Sequence, residues 1–299
     1  MKDEFFGFLL IDKDPNMTSH DVVDVVRRKL RCKVGHTGTL DPFATGLLIM
    51  VLGKATRLAD YMQKQDKEYE VEMELGEERD SYDITGALVE QREVGEISEE
   101  KIKSALSEFV GEIEQVPPMH SAVKFEGRRA YKFAREGKRV SLNKRKITIY
   151  DIALLEAKLP LVRFKVRCSS GTYIRSLVHD IGVNLGTLAF TKSLRRTEVG
   201  KFDVDNAIGL RNFLDMNEEE IDKKVLDPAK ALDFISQIEV TEKQLEDIMH
   251  GRKIKADIPS DAESPMLAVR NEKLVAIMNI FARNEHATLK PDKVFVQKT

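Results

Sequence analysis

Residues 35–46 read Gly35-His36-Thr37-Gly38-Thr39-Leu40-Asp41-Pro42-Phe43-Ala44-Thr45-Gly46, and Leu47-Leu48-Ile49-Met50-Val51-Leu52 follows without a break. The glycines, threonines and proline exclude a helix or a regular strand over the first twelve residues. The apolar run after them predicts a fully buried strand. A loop of exacting backbone anchored on a core strand is a way to hold one reactive side chain still. The loop offers one carboxylate, Asp41, and one imidazole, His36, and Pro42 keeps the Asp41 backbone out of the helical region. On spacing alone two other readings stand. One is a glycine-rich turn with Asp41 as a turn residue. The other is a phosphate cradle, although the Gly-Lys-Ser/Thr ending of a P-loop is missing.

Working outward, the 299 residues suit one large domain and a small one. A hydrophobic share of 42% and a charged share of 33% are those of a soluble globular chain, expected in the cytoplasm. No apolar run approaches the ~20 residues of a membrane span, and Met1-Lys2-Asp3-Glu4 does not open a signal peptide. Cys32 and Cys168 stand far apart and are expected to be reduced thiols. The histidines and cysteines show no zinc spacing, so no metal is expected. Net charge is only −2, so any polyanion contact must rest on local patches.

Residues 5–12 predict a buried strand, and Lys13 to Met17 a turn. Thr18 and Asp21 have capping-box spacing. The helix that follows should bury Val22, Val23, Val26 and Leu30. Residues 68–75 alternate, with Tyr69, Val71, Met73 and Leu75 on one face and four glutamates on the other, as in a half-buried strand. The acidic residues of Gly76–Asp83 read as turn-formers. Ser98 should cap a helix running to Phe109 that Gly111 ends. Residues 161–168 alternate again, and Ser169-Ser170-Gly171 turns the chain into a helix capped by Thr172. That helix has a stripe of Ile174, Leu177, Val178 and Ile181, with Arg175 off the stripe. From residue 232 onward, short strands and Pro259 and Pro265 predict a small β-domain.

Residues 117–146 carry ten Lys/Arg against Glu126 and Glu136, or +8, so the rest of the chain is −10. With Phe125, Tyr131 and Phe133 interleaved, the segment fits contact with nucleic-acid phosphates and bases, a solvated lysine-rich loop being the plainer reading.

The loop at 35–46 resembles the G-H-T-G-T-L-D-P-x-A-T-G motif of the TruB family of tRNA pseudouridine synthases over its whole length. Lys67-Glu68-Tyr69 resembles the family's Lys-x-Tyr. Gly171-Thr172-Tyr173-Ile174-Arg175 resembles its G-T-Y-I-R. Around Lys13 the family's Lys-Pro-x-Gly-x-Thr-Ser is matched less closely, Asp14 replacing the proline and Asn16 the glycine. The resemblance implies an α+β fold, with a mixed, largely antiparallel sheet flanked by helices. Residues 1–231 would form the catalytic domain, 117–146 an inserted RNA-binding thumb, and 232–299 a PUA-like β-barrel domain.

It further implies an isomerase that converts uridine 55 in the T arm of tRNA to pseudouridine. No cofactor, guide RNA, membrane or obligate protein partner is implied, and the protein would act as a monomer. Asp41 would be the essential carboxylate, attacking C1′ or taking a sugar proton. Arg175 would keep Asp41 ionised, and Tyr69 would stack on the uracil. His36, Tyr173, Leu194 and Lys13 would bind the substrate, and Lys124, Arg128, Arg129, Lys132 and Arg135 the RNA. Two other classes compete: a non-catalytic RNA-binding protein on the same fold, and a guide-RNA-dependent relative, against which the built-in basic segment argues.

Overall fold

The computed structural model describes residues 5–121, 123–130, 133, 136–138, 140–283 and 286–296. Four strands and a helix frame the loop. They are β1 (Gly7–Lys13), α1 (Ser19–Leu30), β2 (Val34–His36), β3 (Thr45–Leu52) and β4 (Lys67–Leu75). β1 and β3 are antiparallel, as are β2 and β3. β3 then runs parallel to the strand Ala189–Val199, whose other edge pairs antiparallel with β4. Beyond β4 lie Leu161–Cys168, Arg145–Lys158 and Gly111–Gln115, completing a ten-stranded, largely antiparallel sheet. A second sheet of five strands occupies residues 237–294.

The residues explain the elements. Thr18 and Asp21 cap α1 reciprocally, and Val22, Val23, Val26 and Leu30 are buried. Asn16 takes φ 63°, so it makes the turn that the family builds with glycine. β4 buries alternate residues along its whole length. Two expectations need correction. The helix after Ser98 ends at Ser107, because Gly111, at φ 111°, already opens a strand. The helix Ile174–Leu185 has Tyr173 as its N-cap with no side-chain cap, since the Thr172 hydroxyl donates backward to the Ser169 carbonyl.

β3 is buried on both faces, as its unbroken apolar run requires. Leu48, Met50 and Leu52 face a core shared with α1 and the helix Ile174–Leu185. Leu47, Ile49 and Val51 face a second core completed by Leu267, Val269, Leu274 and Ile277 of the terminal sheet. The seam is also tied by polar contacts: Arg57 Nη1 donates to the Val294 carbonyl at 2.9 Å and Lys293 Nζ to the Arg57 carbonyl at 2.9 Å. Among the described residues no helix is long and apolar enough to cross a membrane.

Candidate active site

The loop between β2 and β3 is fastened along its length. Thr37 N donates to the Ile49 carbonyl at 3.0 Å, and Ala44 N to the Asp41 carbonyl at 3.1 Å, closing a turn with proline at its second position. The buried Ser19 hydroxyl, at the start of α1, accepts from Leu40 N (2.8 Å) and donates to Leu40 O (3.1 Å). Gly46 lies between Lys13 of β1 and Arg196 of the parallel strand. Its φ is +100°, and a Cβ there would stand 2.3 Å from the Arg196 carbonyl oxygen, so only glycine fits.

Asp41 is thereby held with 32% of its side chain exposed. Arg175, in the first turn of its helix and buried, meets it side-on. Nη2 donates to Oδ1 at 3.0 Å, and Nε lies 2.9 Å from Oδ2. The same guanidinium donates through Nη1 to the Ser81 carbonyl (2.9 Å) and to Asp83 Oδ2 (3.1 Å), and through Nη2 to the His120 carbonyl (2.9 Å). Asp83 is itself buried, and its Oδ1 accepts from Ser81 Oγ, Thr85 N and Thr85 Oγ1. One arginine therefore joins two carboxylates from distant parts of the chain.

Burial and Arg175 act on the Asp41 carboxyl in opposite directions. Burial raises the Asp41 carboxyl above the ordinary carboxylate range, and Asp83 adds to the rise. Arg175 pulls the other way without cancelling it.

Tyr69 is buried on β4, opposite Arg196 in register; burial pushes its phenol up, and Arg196 opposes that. Tyr173 is held by its backbone. Its N–H donates to Gln115 Oε1 (2.8 Å), and its carbonyl accepts from Gln115 Nε2 (3.0 Å). Burial raises the Tyr173 phenol. His36 is half-buried and its Nδ1 accepts from Gly38 N at 3.3 Å; burial, then Arg196, lowers its pKa, favouring the neutral ring. Leu194 packs in the main core with Val71, its register partner. Lys13 is 1% exposed, and its ammonium donates to the carbonyls of Asp14 (2.8 Å), Met17 (2.8 Å) and Pro42 (3.3 Å).

The basic segment is only partly described. Lys124 and Arg129 lie in a short two-stranded hairpin, and Arg129 is exposed. Arg128 pairs with Glu136 and lies over the Phe133 ring, 4.7 Å from its centroid. Lys132 and Arg135, with Tyr131 and Arg139, lie outside the described residues. Among the described residues no three His, Cys, Asp or Glu side chains converge as metal ligands.

Three residues were not singled out by sequence reading. Asp83 passed as a turn-former, yet it anchors Arg175. Arg196 is 2% exposed, donates from Nε to the Leu47 carbonyl (2.7 Å) and from Nη2 to the Gly38 carbonyl (3.0 Å), and so clasps both ends of the Asp41 loop. Gln115 clamps the Tyr173 peptide. A usable signal existed for Arg196 alone: the strand places two adjacent arginines, and alternation requires one of them to point inward.

Comparison with known proteins gives the family of the chain. The model of the TruB family pseudouridylate synthase N-terminal domain matches residues 26–174, and that of the tRNA pseudouridylate synthase B C-terminal domain matches residues 175–233. Proteins named tRNA pseudouridine synthase B are similar over most of the chain. The one from Clostridium tetani is 43% identical over 83% of this chain and 86% of its own. The one from Thermosipho melanesiensis is 42% identical over 91% and 90%. The one from Dehalococcoides mccartyi is 38% identical over 98% and 97%. Among solved structures, a chain of a Cbf5-Nop10-Gar1 complex superposes with TM-score 0.75 at 29% identity, covering 98% of this chain and 85% of that one. A chain of an H/ACA RNP bound to a substrate RNA containing 2′-deoxyuridine gives TM-score 0.74 at 27% identity, covering 97% and 85%.

Proposed function

The chain belongs to the TruB family of pseudouridylate synthases, and from that premise we propose that it isomerises uridine 55 in the T arm of tRNA to pseudouridine. The observation that carries this reading is the Asp41–Arg175–Asp83 chain, with Asp41 partly exposed at its end.

The reaction breaks the N1–C1′ bond, turns the uracil and joins C5 to C1′, with loss of the C5 proton. The target base must first leave its stack and enter a pocket. Asp41 supplies the carboxylate at the sugar, either by attacking C1′ or by removing the 2′ proton. Arg175 aims it by the hydrogen bond from Nη2 to Oδ1 and the ion-pair approach of Nε to Oδ2. Tyr69 offers a ring on which the base can stack, and Tyr173 lines the pocket with its backbone fixed by Gln115. His36, neutral, is available to contact the RNA. Lys13 serves the site through Pro42, next to Asp41, rather than by reaching the substrate. Residues 117–146 act as a clamp on RNA, and residues 232–299 as a PUA-like domain. That built-in clamp favours action by a single chain on bare T-arm RNA without a guide.

The test is incubation of T-arm RNA, labelled with tritium at C5 of the target uridine, with this protein alone. Release of tritium by the wild type and none by Asp41→Asn, with RNA binding retained, supports the reading. Full release by Asp41→Asn refutes the role of Asp41. Tight binding without pseudouridine in the wild type would make the protein a non-catalytic RNA binder. A deuterium isotope effect from 2′-deuterated uridine selects proton removal, and its absence selects attack at C1′.

A further inference from the structure

Arg175 takes two of its contacts from Ser81 and Asp83, and Tyr82 stands between them. Tyr82 has φ +61°, a left-handed backbone that a bulky residue rarely adopts. Such a conformation persists only where the surroundings impose it. On the backbone, Tyr82 N donates to the Arg79 carbonyl and the Tyr82 carbonyl accepts from Thr191 N, both at 2.9 Å. On the side chain, the phenol ring lies against the His179 imidazole, with centroids 4.1 Å apart and planes tilted by 30°.

His179 is on the helix Ile174–Leu185, four residues after Arg175, and so on the same helix face. The helix thus presents two side chains to residues 81–83. Arg175 takes the flanks of the segment, and His179 takes the ring in the middle. The imidazole is itself oriented, Nδ1 lying 3.0 Å from Asp180 Oδ1 and Nε2 3.7 Å from Glu78 Oε1.

We propose that His179 is a positioning residue for the reaction. By seating the Tyr82 ring it holds the Ser81 carbonyl and the Asp83 carboxylate where they keep Arg175 aligned on Asp41. This rests on the functional reading above, in which Asp41 and Arg175 act on the substrate. His179 itself touches no substrate, and what it supplies is a ring face.

The experiment compares single-turnover pseudouridine formation on T-arm RNA for wild type, His179→Ala, His179→Phe, Tyr82→Gly and the His179→Ala/Tyr82→Gly pair. His179→Ala is expected to be about tenfold slower with RNA affinity unchanged, which is the effect of one good ring pair. His179→Phe keeps a ring face and should recover to within about threefold of wild type. In the Tyr82→Gly background, where no ring remains to be seated and the left-handed backbone is at ease, removing His179 should cost less than about twofold. A second readout, independent of turnover, is the Arg175 Nε–H resonance of ¹⁵N-arginine-labelled protein, which should move in His179→Ala and return in His179→Phe.

Wild-type speed in His179→Ala overturns the proposal. So does a His179→Phe protein as slow as His179→Ala, or a full tenfold loss persisting without the Tyr82 ring. If the wild type makes no pseudouridine, the functional reading fails instead, and the Arg175 resonance still decides whether His179 positions that side chain.

Discussion

Lys13→Met separates the energetic cost of the site from its chemistry. Lys13 is 1% exposed, and its ammonium is met by three backbone carbonyls. Burial, opposed by Asp14 and Asp41, brings its pKa from 10.5 to about 8. At about 1.4 kcal/mol per pH unit, keeping this group charged at pH 7 costs the folded state roughly 3 kcal/mol relative to the unfolded chain. The sign is that of a base with a depressed pKa. The penalty is complete below pH 8, shrinks as the pH rises, and is gone above 10.5.

Methionine has similar length and no charge, so the variant escapes the penalty but strands three carbonyls. Hydrogen bonds from a charged donor contribute roughly 1.5–3 kcal/mol each, so Lys13→Met should be less stable by a few kcal/mol at pH 7. Urea unfolding followed by circular dichroism at pH 7, 8, 9 and 10 measures both proteins. The advantage of wild type over variant should widen by about 2–3 kcal/mol between pH 7 and pH 10. Lys67, also lowered to about 8, is common to both and cancels in the difference. A difference that stays constant within about 0.5 kcal/mol over this range refutes the reasoning, because Lys13 would then titrate alike in both states.

Two other perturbations address the site directly. Asp83→Asn preserves shape but removes one charged acceptor from Arg175, and turnover should fall by about ten- to a hundredfold, the rate equivalent of one charge-assisted hydrogen bond. Because Asp83 helps to raise the Asp41 carboxyl, the acid limb of its pH–rate profile should also move to lower pH; an unmoved limb in a slowed variant argues against that coupling. Arg196→Met releases the Gly38 and Leu47 carbonyls at opposite ends of the loop, so single-turnover rate should drop at least about tenfold with T-arm affinity unchanged. Wild-type turnover by Arg196→Met would show that the loop keeps its shape without the clasp.

Much of the fold was legible because it is written locally. The β4 alternation, the α1 capping box and the apolar run of β3 each fix an element within about ten residues, where periodicity and capping speak plainly. Asp41 was legible because glycine, proline and a core strand surround it. What escaped depends on chain crossings. Asp83 looks like any acidic turn residue until Arg175, 92 positions later, arrives beside it. Leu194 packs in the core beside Val71, and periodicity does not distinguish a leucine that only fills a core from one that also borders a pocket. Lys13 looks like a cation available to a substrate until its ammonium is seen turned onto carbonyls. The helix containing Arg175 was readable, yet its start was not, because Thr172 turns its hydroxyl back toward Ser169.

The two faces of β3 also make the molecule a caliper. One end of the strand continues into the Asp41 loop, while Leu47, Ile49 and Val51 along its back are sealed to the terminal sheet. A jaw fixed in this way cannot swing independently of the point it measures from. If residues 232–299 hold RNA as proposed above, the grip lies at a set distance from Asp41, and stems one base pair too long or too short would miss by the rise of that pair. Cutting the chain at residue 232 would remove the far jaw and also open the core that Leu47, Ile49 and Val51 share with the terminal sheet.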